Sequence, residues 1–269
     1  MDSVQGIISK LLEKMPPEIG ILMESQPFDV EQSKVDGINA LVGSLPGYDC
    51  PLCRNRGYTA ALRDGHMVTV ECSCMTKRHY LRLIRESGLE SSLRENTFES
   101  YTTLNPWQEE AKSKAQKYVK EWRGHWFFIG GTVGSGKTHL CAAICGELLN
   151  AGVPLRYLQW RADAPMLKSA VKDGETYREL ITPLKTVRAL YIDDLFKGGI
   201  TDADINLAFD LLNIRYSDPS LATIISSEKT IKELVGVDEG IGTRILERSR
   251  GYCTSVTGKE KNWRLYAGK

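Results

Sequence analysis

The sequence predicts an α/β protein, with a parallel β-sheet covered by helices on both faces and a small helical, cysteine-rich region ahead of it. From about residue 107 onwards, short apolar runs alternate with segments of helical periodicity, which is the pattern of parallel strands joined by helices. Residues 46–75 differ in character, because they carry four cysteines and several turn-forming residues. The 269 residues are enough for one or two domains of ordinary size.

The composition excludes several classes of protein. Apolar residues make up 42% and charged residues 26% of the chain, a balance that argues against wholesale disorder. The 35 lysines and arginines nearly match the 34 acidic residues, so any contact with nucleic acid must come from local basic groups. The sequence shows no apolar run of membrane-spanning length and no signal-peptide core at its N-terminus. Seven cysteines cannot all pair, so we expect a reduced compartment, the cytoplasm.

The chain opens with a predicted amphipathic helix. Apolar residues between Val4 and Met15 follow a helical spacing, and Pro16 and Pro17 end the pattern. The apolar stripe of this helix either packs on its own domain or docks a partner, and the sequence leaves both open. Residues 18–45 continue with short apolar clusters, for which we predict further helix.

Two closely spaced cysteine pairs predict a metal site. The first pair has the C-x2-C spacing that is typical of tetrahedral zinc, and the second has a C-x-C spacing. An Asp-Gly turn signal between two strand-like runs predicts a hairpin that joins the pairs. We predict structural zinc held by four thiolates, with His66 or His79 as an alternative to one of them. The four cysteines are Cys50, Cys53, Cys72 and Cys74.

The predicted elements of the α/β region follow one another regularly. The apolar runs that predict strands cover residues 126–129, 155–159, 188–192 and 222–225. Helical periodicity covers residues 107–122, 137–150, 163–172, 175–183, 202–216 and 238–249. The last apolar runs, at 252–256 and 263–266, predict a terminal hairpin.

A glycine-rich turn between the first of these strands and the helix after it matches the phosphate-binding pattern G-x-x-x-x-G-K-[ST] without a mismatch. Its glycines let backbone N–H groups point at a phosphate at the helix N-terminus. Lys137 would supply a cation to the β- and γ-phosphate oxygens of ATP, and the hydroxyl of Thr138 would be a ligand of Mg²⁺. The predicted nucleotide-binding residues of this segment are Gly131, Thr132, Val133, Gly134, Ser135, Gly136, Lys137, Thr138 and His139.

Acidic residues at the end of a later strand complete the predicted ATP site. Asp193 and Asp194 directly follow the buried run at 188–192. Asp193 would hold Mg²⁺ through water, and Asp194 would polarise the attacking water. The next strand ends in polar residues, of which Ser227 or Glu228 would orient that water or sense the γ-phosphate.

Two arginines lie on the last predicted helix. Arg244 and Arg248 are four residues apart and therefore share one helix face. An arginine in this position could reach the ATP of a neighbouring subunit and stabilise charge in its transition state. The alternative is an ordinary solvated charge. The predicted catalytic residues are Lys137, Asp194 and Arg244.

These motifs resemble those of the DnaC/DnaI-type AAA+ ATPases, the replicative helicase loaders of bacteria and their phages. The resemblance covers the chain from about residue 46. It implies an AAA+ core that assembles as a spiral or ring on a hexameric replicative helicase and helps to place it on single-stranded DNA. The motifs that carry it are the two cysteine pairs and the segments 85–89, 97–98, 126–139, 191–197, 213–216, 223–228 and 242–245.

The resemblance also assigns roles to individual residues. It implies that Gly131–Thr138 is the Walker A loop, Asp193 and Asp194 the Walker B pair, Ser227 and Glu228 the sensor-1 end, and Arg244 the arginine finger. Glu228 departs from the asparagine that is common at sensor 1. Asp194 departs from the more common glutamate, from which we expect slow hydrolysis that DNA or a partner stimulates.

We expect four segments: a helical, partner-docking segment over 1–45, a zinc-binding module over 46–87, a linker over 88–106 and the ATPase domain over 107–269. The implied cofactors are ATP, Mg²⁺ and Zn²⁺. Single-stranded DNA would run past basic residues of the ATPase domain. The candidate contacts are Arg161, Lys168, Lys172 and Lys197.

Two other functions stay open. An IstB-like transposition ATPase, which would recruit a transposase and bind duplex DNA, shares the core, although such proteins usually lack a cysteine-rich module. A nucleotide-gated zinc adaptor with little turnover is the other, and the complete Walker motifs argue against a dead site.

Overall fold

The computed structural model describes residues 29–86, 93 and 95–266. The predicted helix at 3–15 and residues 87–89 of the motif at 85–89 lie outside the described residues. The chain divides into two compact units, residues 1–72 and 73–269. The finer division into four segments stays a prediction. None of the helices in the described ranges is long and apolar enough to cross a membrane.

The described part of the first unit contains one helix and one hairpin. Helix α1 (Val30–Ala40) begins at Asp29, whose carboxylate accepts hydrogen bonds from two backbone N–H groups of the first turn. Strands β1 (Tyr58–Arg63) and β2 (His66–Glu71) pair antiparallel. Asp64 and Gly65 form the turn between them with positive φ angles of 53° and 76°. This confirms the hairpin that the Asp-Gly signal predicts.

The second unit is built on a parallel sheet. Its strands are β3 (Phe127–Gly131), β4 (Leu155–Gln159), β5 (Ala189–Asp193), β6 (Ala222–Ser227) and β7 (Cys253–Val256). They lie in the order β4-β5-β6-β3-β7, and every neighbouring pair is parallel. The phosphate-loop strand β3 therefore has β6 on one side and β7 on the other. Because the carboxyl ends of parallel strands meet at one edge, the loops after β3, β5 and β6 share that edge.

Helices cover both faces of this sheet. Those before and between the strands are α2 (Cys74–Glu86), α3 (Pro106–Glu121), α4 (Lys137–Asn150), α5 (Trp160–Ala170), α6 (Gly174–Thr186), α7 (Asp202–Ser217), α8 (Ile231–Val237) and α9 (Glu239–Arg248). Successive residues of β3 enter opposite cores: Phe127 and Ile129 belong to one hydrophobic cluster, and Phe128 to the other. This two-sided burial explains the near-continuous apolar runs in the sequence, and the predicted α/β fold is confirmed.

The C-terminal prediction was wrong in one respect. Residues 252–256 and 263–266 do not form a hairpin, because β7 joins the sheet parallel to β3, with Phe128 opposite Cys253 and Gly131 opposite Val256. Gly258, with a φ angle of 117°, then turns the chain into a 3₁₀ turn (Lys259–Lys261) and the short helix α10 (Trp263–Tyr266). The backbone N–H of Trp263 donates to the carbonyl of Gly134, so this segment lies against the phosphate loop.

Candidate nucleotide-binding site

The phosphate loop connects β3 to α4 through three glycines with positive φ angles. These angles are 112° at Gly131, 72° at Gly134 and 82° at Gly136, a region that other residues rarely adopt. A Cβ atom at Gly131 would lie 2.0 Å from the carbonyl oxygen of Val256, and one at Gly134 would lie 2.2 Å from the Asn262 side chain. The loop therefore needs glycine for backbone conformation and for space.

Lys137 begins α4 and turns its side chain back into the loop. Its ammonium donates to the carbonyl oxygens of Gly131 at 2.9 Å and Thr132 at 2.8 Å, and the side chain is buried. Burial lowers the pKa of Lys137, and the nearby carboxylates of Asp194 and Glu228 oppose that shift. Lys137 and these two acids line the same cleft.

Asp193 ends β5 within a set of hydroxyl donors. Tyr191 donates to one of its carboxylate oxygens at 2.6 Å and Ser226 to the same oxygen at 2.5 Å, while Tyr157 donates to the other at 3.0 Å. The Thr138 hydroxyl lies 3.4 Å from the first oxygen. A hydroxyl and a carboxylate this close are the hard oxygen ligands that Mg²⁺ prefers, so these residues fit the ion.

The sequence did not predict that the hydroxyl groups of Tyr157, Tyr191 and Ser226 would surround Asp193. Burial raises the pKa of both Tyr157 and Tyr191, so both phenols stay protonated and act as donors. In the sequence both tyrosines look like ordinary strand aromatics. They meet because β4 and β5 pair with Tyr157 opposite Tyr191, a register that no local pattern encodes.

Asp194 starts a tight turn that brings a lysine to the acids. Asp194 and Phe196 have positive φ angles of 56° and 59°, which are unusual outside glycine and are typical of functional turns. The Lys197 ammonium lies 2.7 Å from an Asp194 carboxylate oxygen and 3.0 Å from a Glu228 carboxylate oxygen. The acid after β5 and the acid after β6 are thus joined by one cation.

Ser227 and Ser226 have different surroundings. The Ser227 hydroxyl donates to the Leu195 carbonyl at 2.7 Å and accepts from the Lys229 N–H at 3.1 Å, so it joins two loops of the backbone. The hydroxyl of Ser226 instead donates to Asp193 and accepts from the Asp194 N–H at 2.9 Å. The predicted phosphate contact of Ser227 stays a prediction.

A cleft of about 460 Å³, a size that is ordinary for a small-ligand site, is lined by the phosphate loop together with Asp194, Lys197 and Glu228. His139 is one of the lining residues, and its Nε2–H donates to the Thr97 carbonyl at 2.9 Å, with the Ser100 hydroxyl 3.2 Å from the same nitrogen. Tyr101 packs beside it with a buried hydroxyl that has no hydrogen-bond partner among the described residues. The full lining is Asn96, Ser100, Tyr101, Thr102, Gln108, Val133, Gly134, Ser135, Gly136, Lys137, Thr138, His139, Asp194, Lys197, Glu228, Trp263 and Arg264.

Arg244 does not line this cleft. Its guanidinium lies 4.8 Å from the ring centre of Phe209 and 5.4 Å from that of Tyr216, and it donates to the Gly240 carbonyl at 2.7 Å. Arg248 lies on the same helix, with its guanidinium 5.7 Å from the Trp126 ring centre. Neither arginine lines the cleft of its own chain, and a catalytic role of either stays a prediction.

The four predicted metal ligands come together. The sulfur atoms of Cys50, Cys53, Cys72 and Cys74 are buried and lie within 4.8 Å of one another. The Sγ atoms of Cys50 and Cys72 are 3.7 Å apart. Tetrahedral Zn–S bonds of about 2.3 Å place two sulfurs about 3.8 Å apart, so the spacing fits zinc. Within the described ranges, no histidine joins the group.

The hairpin and the loop before it position these cysteines. Arg54 and Asn55 have positive φ angles, which turn the chain sharply after Cys53. The Gly57 N–H donates to the Cys53 sulfur at 3.4 Å, a contact that stabilises a thiolate. The Cys72 N–H donates to the Gly57 carbonyl at 2.8 Å at the far end of the hairpin. The two pairs are therefore brought together by hairpin pairing.

Two of the four predicted DNA contacts have carboxylate partners. Lys168 pairs with Asp204 at 2.6 Å, and Lys197 pairs with the two acids of the cleft. The side chains of Arg161 and Lys172 are exposed. A role in DNA binding stays a prediction for all four.

Comparisons with known proteins identify a matching family and similar proteins. The family described as "IstB-like ATP binding protein" matches residues 57–268. Phage-like element PBSX protein XkdC of Bacillus subtilis (strain 168) is 32% identical over 234 residues, which are 81% of this chain and 86% of that protein. Replicative helicase loader DnaC of Escherichia coli (strain K12) is 30% identical over 199 residues, which are 66% of this chain and 78% of that protein.

A solved structure gives the same result for the fold. The crystal structure of DnaI superposes with a TM-score of 0.51 at 23% identity, over 62% of this chain and 92% of that chain. This likeness shows a common fold.

Proposed function

The chain belongs to the IstB-like ATP-binding family of AAA+ P-loop ATPases, and we propose that it binds a hexameric replicative helicase and loads it onto single-stranded DNA. The observation that carries this proposal is the 30% identity to a replicative helicase loader over 78% of that protein's length. We place its action in the bacterial cytoplasm, as a protein of the bacterium or of a phage.

The proposed roles in ATP binding follow from the geometry of the cleft. The backbone N–H groups of Gly134 to Thr138 would surround the β-phosphate at the N-terminus of α4. Lys137, held at the loop by two carbonyls, would exchange them for phosphate oxygens. Thr138 and Asp193 would hold Mg²⁺, which when bound supplies positive charge to the β- and γ-phosphate oxygens.

Hydrolysis would use the acids at the end of β5 and β6. Asp194 lies in the cleft next to the magnesium ligands and would accept a hydrogen bond from the attacking water. Glu228 lines the same cleft, and Glu228 or Ser227 would sense the γ-phosphate. An aspartate is one methylene shorter than the glutamate common in AAA+ proteins, and the Asp194 carboxylate is engaged by Lys197. Both features support slow basal turnover that a partner stimulates.

Assembly would supply the remaining catalytic group. Arg244 lies outside the cleft of its own chain, so in a spiral or ring on the helicase it would act on the ATP of the adjacent subunit. Arg248 is the alternative finger. The N-terminal segment would hold the helicase, with the four cysteines binding a structural zinc ion.

A second candidate function is transposition, because the matching family carries the name IstB-like. Such an ATPase would bind duplex DNA and recruit a transposase without acting on a helicase. A zinc adaptor with little turnover is the third. It would bind protein or DNA with little ATP hydrolysis, and the complete set of Lys137, Asp193 and Asp194 argues against a dead site.

The test is a loading assay with hexameric replicative helicases from a panel of bacteria. The protein is mixed with each helicase, ATP and circular single-stranded DNA, and the helicase bound to the circles is measured after gel filtration. We expect ATP-dependent transfer of at least one helicase, and none with the Lys137→Ala variant. Binding of duplex circles without any effect on the helicases would refute the proposal and favour the transposition ATPase.

A further inference from the structure

The cleft contains a second lysine, Lys197, that the proposed roles in ATP binding do not include. Lys197 lines the cleft with Lys137, and its ammonium lies between the carboxylates of Asp194 and Glu228. The side chain is 31% exposed, which leaves it open to the cleft while both carboxylates hold it. Arg264 also lines the cleft, from the C-terminal segment, without a carboxylate partner among the described residues.

A strained turn fixes this lysine. The Lys197 N–H donates to the Asp194 carbonyl, and the Leu195 N–H donates to the Ser226 carbonyl, both at 2.9 Å. The Phe196 ring is buried edge-on against Trp160. The turn is thus tied to the end of β6 on one side and to the core on the other. Backbone strain that the surroundings enforce is characteristic of residues placed for function.

Charge explains why a cation is needed here. Asp194 and Glu228 line the cleft together with Thr138, whose hydroxyl lies 3.4 Å from an Asp193 carboxylate oxygen. With Mg²⁺ held by Thr138 and Asp193 as proposed, the β- and γ-phosphates would lie beside these two acids. Two carboxylates facing a terminal phosphate would repel it. Lys197 offsets that charge and, through its remaining donor capacity, can bind a phosphate oxygen.

We propose that Lys197 is a second cation for the terminal phosphate and gives this site a preference for nucleoside triphosphate over diphosphate. This rests on the proposed nucleotide site, and it replaces the DNA contact that the sequence predicts for Lys197. ADP lacks the phosphate that the ammonium would meet. Lys197 therefore contacts only the γ-phosphate, whereas Lys137 binds both ATP and ADP.

The test compares affinities for a non-hydrolysable ATP analogue (AMPPNP) and for ADP, each with Mg²⁺, by isothermal titration calorimetry. In Lys197→Ala we expect the affinity for AMPPNP to fall about 10- to 100-fold, the range of one charge-assisted hydrogen bond, with ADP affinity changed less than about threefold. Adding Glu228→Gln to that variant removes one repelling charge and should recover part of the AMPPNP affinity. Lys185→Ala is the matched control, because Lys185 forms an ion pair with Asp210 at 2.7 Å outside the cleft.

Two results overturn the proposal, and a third concerns the loader function alone. An unchanged ratio of AMPPNP to ADP affinity in Lys197→Ala overturns it, whether neither affinity changes or both fall equally, as a purely structural ion pair would give. Tighter AMPPNP binding in Lys197→Ala also overturns the proposal, because Lys197 would then weaken triphosphate binding. Failure of helicase loading with the expected nucleotide ratio intact would reject the loader function alone.

Discussion

Removing the phenol hydroxyl that supports Asp193 should weaken Mg²⁺ binding without weakening nucleotide binding itself. Tyr191 donates to the Asp193 carboxylate at 2.6 Å inside the core, and Tyr157 donates to its other oxygen at 3.0 Å from a half-buried position. Together these bonds fix the orientation of the carboxylate. Phenylalanine at either position keeps the ring and removes only the hydroxyl.

The expected loss of Mg²⁺ affinity follows from the length and burial of the two hydrogen bonds. A hydrogen bond to a charged group contributes about 1.5–3 kcal/mol, and losing a partner of a metal ligand typically lowers metal affinity about 10- to 100-fold. Tyr191→Phe, which loses the shorter and fully buried bond, should raise the half-saturating Mg²⁺ concentration about tenfold or more. Tyr157→Phe loses a longer and partly exposed bond, so about fivefold is expected, near 1 kcal/mol.

The assay is a Mg²⁺ titration of the binding of a fluorescent ATP analogue, read by anisotropy. Binding in EDTA serves as the internal reference and should be the same in wild type and variants. Tyr177→Phe is the matched control, because its hydroxyl donates to Asp210 at 2.8 Å away from the cleft. Half-saturation within about twofold of wild type in Tyr191→Phe would refute the reasoning, as would a similar shift in Tyr177→Phe.

Four further predictions concern other parts of the molecule. Lys137→Ala should abolish ATP hydrolysis, measured by phosphate release, and normal turnover in this variant would reject the site. Asp194→Asn should bind ATP normally in a nucleotide-binding assay but lose most of its turnover. Purified protein should contain about one zinc ion per chain by atomic emission, and Cys50→Ser should lose it while the ATPase domain stays folded; zinc-free protein prepared without chelator would contradict this. Arg244→Ala should bind ATP normally and lose partner-stimulated hydrolysis, and mixing it with Lys137→Ala should restore part of that activity; full stimulation of Arg244→Ala alone would exclude the role in trans. Arg215→Met should lower the free energy of unfolding by about 3–5 kcal/mol in denaturant titrations. The buried guanidinium donates to the carbonyls of Leu184 in α6, of Val187 and of Ala222 in β6, which would lose their donor; a loss under about 1 kcal/mol would contradict this.

Local signals in the sequence were enough for much of the fold. The helix at 137–150 and the strand at 155–159 have the predicted bounds, because each is a complete apolar pattern between clear turn residues. The Asp-Gly turn predicted the hairpin for the same reason. Helix α8 was missed, although Thr230 and Glu233 form a capping box that was readable at its start.

The rest depends on contacts between distant segments. The predicted terminal hairpin failed because the free edge of β3 accepts β7 in parallel. The sequence also did not predict the position of Lys197. Two positive φ angles, at Asp194 and Phe196, bring the lysine back to the Asp194 carboxylate, and no local pattern indicates them. Ser226 and Ser227 are adjacent in the chain, and only the register of β6 decides which hydroxyl meets Asp193.

The position of Arg244 sets an energetic condition on a shared active site. Within its own chain the guanidinium is held by Phe209, Tyr216 and the Gly240 carbonyl. Leaving two partly exposed rings costs about 1–2 kcal/mol. An arginine finger accelerates hydrolysis about 10³- to 10⁵-fold, equivalent to about 4–7 kcal/mol of barrier. The gain exceeds the cost, but only where a neighbouring chain presents a triphosphate. Under the proposed role in trans, an isolated subunit would keep the Arg244 guanidinium on the aromatic rings, and its basal hydrolysis would stay slow until a neighbouring chain presents a triphosphate.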